Sequence, residues 1–140
     1  DKSINVKEDI IDVFDMITAV DNITGKIYRL YNASFNRFPD KDGLNYWIKK
    51  NQAGQDNFRD TAKSFVISDE FINLYGINST NEEYINGLYT NVLNRLPDQE
   101  GFDYWNDQLG KGYEDRSELL MGFSESLENK AIFSSETNLF

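Results

Sequence analysis

The chain has 140 residues, 39% of them hydrophobic, and carries 24 acidic against 14 basic side chains for a net charge of -10. That length suits one compact domain with a real core, and that charge repels nucleic-acid phosphates and anionic lipid headgroups alike. Cysteine and histidine are both absent. Disulfides, thiolate or imidazole metal sites, and Ser-His-Asp or Cys-His catalysis within the chain are therefore excluded.

Lys7 to Val20 reads as a leader helix, with Ile10, Val13, Phe14 and Ile17 on one apolar stripe that covers the first helical unit. Asn22 is placed to cap the next helix, whose stripe is Ile27, Leu30, Tyr31 and Phe35. Pro39-Asp40 starts another, carrying Leu44, Trp47 and Ile48, and Gly54 suits a left-handed turn at its end. Phe58, Ala62, Phe65 and Val66 mark a third helix. Ser68 caps a short fourth, with Asp69 and Glu70 complementing its N-terminus and Gly76 ending it.

The series then repeats at an offset of 58 residues without a gap. Thr80-Asn81-Glu82-Glu83 is a capping-box pattern at the place of Asn22. Ile85, Leu88, Tyr89, Val92 and Leu93 form the stripe, followed by Pro97-Asp98 and a helix with Phe102, Trp105 and Leu109. Gly112, then Leu119, Leu120 and Phe123, then Ser126 complete the second copy. Both prolines and both tryptophans of the chain fall on matched positions. The expected fold is all-α, with about eight or nine short helices. It divides into a leader (1-20), two helical units (21-78 and 79-136) and a polar tail (137-140) in which Leu139 and Phe140 could dock. Gly76 to Ser79 is too short for a flexible linker, so the units are expected to share a core.

The run from Tyr28 through Asn36-Arg37-Phe38-Pro39-Asp40, with Gly43-Leu44, Tyr46-Trp47 and the closing Phe65-Val66-Ile67-Ser68-Asp69-Glu70-Phe71, resembles the bacterial domain-of-unknown-function family 4214. The second unit carries the same signature, and the resemblance spans roughly residues 27 to 132. It implies a helical module of secreted or cell-surface bacterial proteins and assigns no catalytic residues. A shorter likeness, to phycobilisome linker domains, rests on the Arg-x-Pro turn and the Ser-x-Glu-aromatic close. It implies a scaffolding role.

Several residues invite chemistry. Asp40-Lys41-Asp42-Gly43 and Asp98-Gln99-Glu100-Gly101 suggest calcium, but an EF-hand needs a bidentate acid at position 12, where Asn51 and Leu109 stand. A capped helix start is the expected role, with a non-EF-hand calcium site as the alternative. Arg37 and Arg95 could take a carboxylate or sulfate. They are expected instead to fork onto Asp40 or Asp98, or onto Glu70 or Glu128. Trp47 and Trp105 could stack sugars but are expected in the core, with Tyr46 and Tyr104 reaching the surface. No Gly-rich phosphate loop or nucleophile elbow is present.

The chain is thus expected to be non-catalytic and cofactor-free, with no catalytic, cofactor or metal residue to name. No apolar run approaches the roughly 20 residues of a membrane span. No signal peptide is visible, and the start at Asp1 leads to the expectation of a fragment of a longer protein. The expected role is an extracellular or surface module that binds a protein or glycan or acts as a spacer. An intracellular scaffold and a calcium-stabilised domain are the alternatives. Neither nucleic acid nor membrane insertion is expected.

Overall fold

A computed structural model of the protein describes residues 12–138. Ile10 of the leader stripe and Leu139 and Phe140 of the tail lie outside the described residues. Residues 12–15 are helical, and eight helices come after them: α1 (Ile23–Phe35), α2 (Lys41–Gln52), α3 (Phe58–Val66), α4 (Asp69–Tyr75), α5 (Asn81–Leu93), α6 (Gln99–Gly110), α7 (Arg116–Ser124) and α8 (Leu127–Thr137). Among the described residues there is no strand, and the fold is all-α.

Shifting α1, α2 and α3 by 58 residues gives the bounds of α5, α6 and α7, and α4 and α8 start in the same register. Local chemistry explains why. Asn22 accepts the Thr24 N–H at 3.0 Å, and Thr80 and Glu83 form the capping box of α5. Asp40 and Asp98 cap α2 and α6, and Ser68 and Ser126 cap α4 and α8. Two further matched caps, Asn57 and Asp115, start α3 and α7, and Asp115 makes a capping box with Glu118. At the C-termini of α1 and α5, Asn36 and Asn94 adopt left-handed conformations with φ of 50° and 56°. Asparagine enters this region more readily than most residues because its short amide hydrogen-bonds locally.

The leader departs from the expected helix over Lys7 to Val20. Its described part is helical only to Asp15, and the chain then turns toward α1. Side-chain bonds hold that turn: the Thr18 N–H donates to Thr24 Oγ1 at 3.0 Å, and the Asn22 amide donates to Thr18 Oγ1 at 2.6 Å. Such bonds compete with a continuing helix. Gly25 lets the turn lie close, since a Cβ there would sit 2.5 Å from the Ala19 carbonyl oxygen and 2.7 Å from that of Val20.

Helix α1 is central. Nine of its thirteen residues are buried, so it has almost no solvent face. It packs against α2, α3, α5 and α7, while α3 packs against its counterpart α7. The main core draws Leu30, Phe65 and Tyr75 from the first unit and Leu88, Leu119 and Phe123 from the second. Each such side chain contributes about 1.5–3 kcal/mol on burial. A smaller cluster joins Val13 and Ile17 of the leader to Ile27, Tyr28, Leu44, Ile48 and Phe133.

One buried ion pair ties the units together. Arg29 is 1% exposed and donates from Nε and Nη2 to the Glu125 carboxylate at 2.8 and 2.7 Å. Its guanidinium also lies 4.7 Å from the Phe133 ring centroid. The matched positions hold Gly87 and Ile67, so the pair has no copy. A second difference keeps a contact while exchanging its partners. Lys26 of α1 lies 5.0 Å from the centroid of Phe58 on α3. At the matched places, Tyr84 of α5 supplies the ring and Arg116 of α7 the cation, at 4.8 Å.

The helices following the prolines differ in burial. Leu44 and Ile48 of α2 are buried, but α6 buries no residue, and Phe102, Trp105 and Leu109 are only half-buried against the main core. The core role expected for these three therefore holds only in part. Val13, Ile17 and Phe133 cover α2, whereas α6 makes its main helix contact with α5 alone, and Asn106 replaces Ile48.

Candidate functional site: the arginine turns and the Trp105 cleft

Each turn between the first two helices of a unit is built on Asn-Arg-x-Pro-Asp. The asparagine reverses the chain, and the arginine then reaches the fourth helix. Arg37 donates from Nε and Nη2 to Glu70 at 2.6 and 3.0 Å, and Arg95 does the same to Glu128 at 2.8 and 3.0 Å. Nη1 donates to the following carbonyl, Phe38 O at 3.1 Å or Leu96 O at 3.2 Å. The capping aspartates lie 3.6 and 3.7 Å from the same guanidiniums. With these donors committed, the forks tie the first turn of α4 or α8 to the turn before α2 or α6.

A tyrosine closes the first turn from below. The Tyr31 hydroxyl donates to Asp40 at 2.7 Å, and this bond holds the Asp40 carboxyl below its usual range. Burial, and then Asp40, push the Tyr31 hydroxyl up to about 12. Gly43 and Gly101 make room: a Cβ would lie 2.9 Å from the Tyr31 hydroxyl or 2.5 Å from that of Tyr89.

Asp40 and Asp98 thus act as helix caps beside an arginine. Among the described residues, no three acidic side chains converge on a point that would hold an ion. Trp47 and Trp105 are half-buried, packed on Phe65 and Phe123 at 5.1 and 5.2 Å between ring centroids. Tyr46 and Tyr104 stand exposed beside them. Both indoles therefore belong partly to the core and partly to the surface.

The two units diverge next to Trp105. Tyr89, Leu93, Arg95, Trp105, Gly122 and Phe123 line a cleft of about 180 Å³, together with Ser126 and Glu128. In the first unit Phe35 stands in place of Leu93 and Ser64 in place of Gly122. The Phe35 ring packs on Tyr31 at 5.0 Å and on Phe65 at 5.1 Å.

Paired, capping and buried acids make stability depend on pH. Arg95 lowers Glu128, and the Asp115 N–H and Arg59 lower Glu118. Burial pushes Asp115 up, but bonds from Ser117 and the Glu118 N–H outweigh it. Groups lowered in the fold stabilise it above their unfolded values, 3.8 for aspartate and 4.5 for glutamate, and lose that contribution as pH falls through the folded values. Glu136, raised by burial, opposes them as a single group. The urea midpoint is therefore expected to stay level above about pH 5 and to fall steadily below about pH 4. A midpoint unchanged at pH 3 would show that these acids gain nothing on folding.

The structure defines a class: helical proteins whose units are closed by an arginine turn and a capped fourth helix. This chain belongs to the family described as domain of unknown function DUF4214, which matches residues 62–133. The match begins within α3 and runs through the second unit, leaving residues 27–61 of the motif resemblance outside it. No curated protein and no solved structure matches the chain.

Neither the Arg29–Glu125 pair nor the cleft is among the sites expected from the sequence, because neither is repeated. Helical spacing hides the first: Arg29 falls on the face of α1 opposite the stripe of Ile27, Leu30 and Tyr31, where apolar periodicity leads one to expect solvent, and it is the packing of α7 on that face that buries it.

Proposed function

We propose that the chain is a non-catalytic interaction module of a larger bacterial secreted or cell-surface protein, and that it docks a protein partner on the open side of α5 and α6. One contrast between the units carries this reading. In the first unit the leader covers the turn and α2. Val13 and Ile17 are buried, Phe14 meets Phe38 at 5.9 Å, and Asp12 pairs with Lys41 at 3.4 Å. In the second unit Leu96 replaces Phe38 and is 78% exposed against 41%, and Phe102, in the place of the buried Leu44, is only half-buried. Exposed apolar surface of this kind marks interaction sites. The charged residues common to both units are committed to caps and forks, which favours binding over acid-base chemistry at the turns. The secreted or surface setting rests on the family resemblance.

The test is capture by the immobilised chain from a cell-surface protein extract, with a glycan array in parallel. The expected result is retention of a protein, lost at least roughly tenfold in Leu96→Asp because a charge is placed in the contact. Retention indifferent to Leu96→Asp, or binding to glycans alone, overturns the reading.

A further inference from the structure

We infer that the Trp105 cleft is a receptor for a phenyl ring, supplied by a phenylalanine side chain of the partner protein. The inference rests on the interaction-module reading and specifies its anchor. The first unit shows what such a cleft holds. There the Phe35 ring packs edge-on against Tyr31 and tilted against Phe65, with the Arg37 guanidinium 5.8 Å from its centroid. The second unit keeps these walls. Tyr89 meets Phe123 edge-on at 4.9 Å, as Tyr31 meets Phe65 at 5.5 Å, and the Arg95 guanidinium lies 5.0 Å from the Tyr89 ring centroid.

The filling is changed, and with it the tilt of the tryptophan wall. Leu93 is shorter than a phenylalanine, and Gly122 removes the side chain that Ser64 presents in the first unit. The Trp105 ring leans onto that glycine, whose absent Cβ would stand 3.2 Å from the indole edge. Trp105 accordingly lies tilted at 42° to Phe123, whereas Trp47 stands at 84° to Phe65. The resulting space of about 180 Å³ takes one ring, since an apolar cavity of about 150 Å³ holds benzene.

The walls also select the chemistry. Aromatic neighbours and the Arg95 cation in the lining favour an aromatic ring over an aliphatic side chain. Arg95 is already neutralised by Glu128, so the cleft offers a charged ligand no free counter-charge. Leu96 and Leu127, 78% and 86% exposed, adjoin Arg95 and Glu128 in sequence and give the residues beside a bound phenylalanine an apolar rest. That rest favours a polypeptide over a free aromatic compound.

The experiment follows the indole N–H signals of Trp47 and Trp105 by NMR in the 140-residue chain during titration with N-acetyl-phenylalaninamide. A saturable shift is expected at Trp105 and none at Trp47, with N-acetyl-leucinamide binding several-fold more weakly. Leu93→Phe places the ring in cis and abolishes the response while cooperative unfolding is retained. The paired change Phe35→Leu with Ser64→Gly opens the equivalent cleft in the first unit, so that Trp47 responds as well. No saturable shift at ligand concentrations on the order of 10 mM, or an equal shift in Leu93→Phe, overturns the ring receptor. The capture experiment with Leu96→Asp stands apart from this titration, so either reading can fail alone.

Discussion

Glu125→Ala is expected to destabilise the protein by about 3–5 kcal/mol, because it leaves the Arg29 guanidinium charged and unpaired in the interior. Arg29 is 1% exposed and sits in the α1–α7 contact, so the cost falls on a cation held inside the fold, while Glu125, 18% exposed, reaches it from the surface side. Replacing both partners is a different experiment. Arg29→Met with Glu125→Met removes both desolvation costs and leaves side chains that pack on Phe133. It also removes Nη1 of Arg29, a buried donor without a bond. The double variant is therefore expected within about 1 kcal/mol of the parent, or above it. Urea unfolding of the two singles and the double decides. A Glu125→Ala loss below about 1 kcal/mol would show that the pair is solvated.

Leu88→Ala is expected to cost about 2–5 kcal/mol, the range for truncating a fully buried leucine. Leu88 is 0% exposed on α5, at the position matching Leu30 on α1, and the two helices pack together. Because both leucines belong to one cluster, the loss is shared by both units. Each unit has one tryptophan, so unfolding can be followed separately through Trp47 and Trp105 in single-tryptophan variants. Coincident midpoints for the two probes are expected in Leu88→Ala as in the parent. A second unit that unfolds at lower urea than the first would show that the cores are separable.

The features legible in the sequence are those that occur twice. The cap at Asp98, the left-handed turn at Gly112 and the cap at Ser126 are set by chemistry within three or four residues, and each is repeated 58 residues earlier. Two copies of a local rule give its position twice. The caps at Asn57 and Asp115 obey the same rule but lack the preceding proline that marks Asp40 and Asp98. The Arg29–Glu125 pair depends on which helices cross, and the cleft depends on a ring that is absent. Neither leaves a trace in spacing, because each arises from a departure from the pattern. The end of the leader helix was hidden for a related reason: Thr18, Asn22 and Thr24 divert the chain through side-chain bonds that apolar periodicity does not register.

The exchanged pair of Lys26 with Phe58 and Tyr84 with Arg116 bears on how the chain avoids folding wrongly. Neighbouring copies of one unit invite misassembly, with a helix of one copy taking the place of its twin in the other. If α7 settled in the place of α3, Arg116 would meet Lys26 and two cations would face each other. If α3 settled in the place of α7, Phe58 would lie against Tyr84 and the cation would be lost. Inverting the donor and acceptor roles of one contact makes the correct pairing agree in both copies and each exchanged pairing worse. The halves stay similar enough to share a core and are different enough at this point to tell themselves apart while folding.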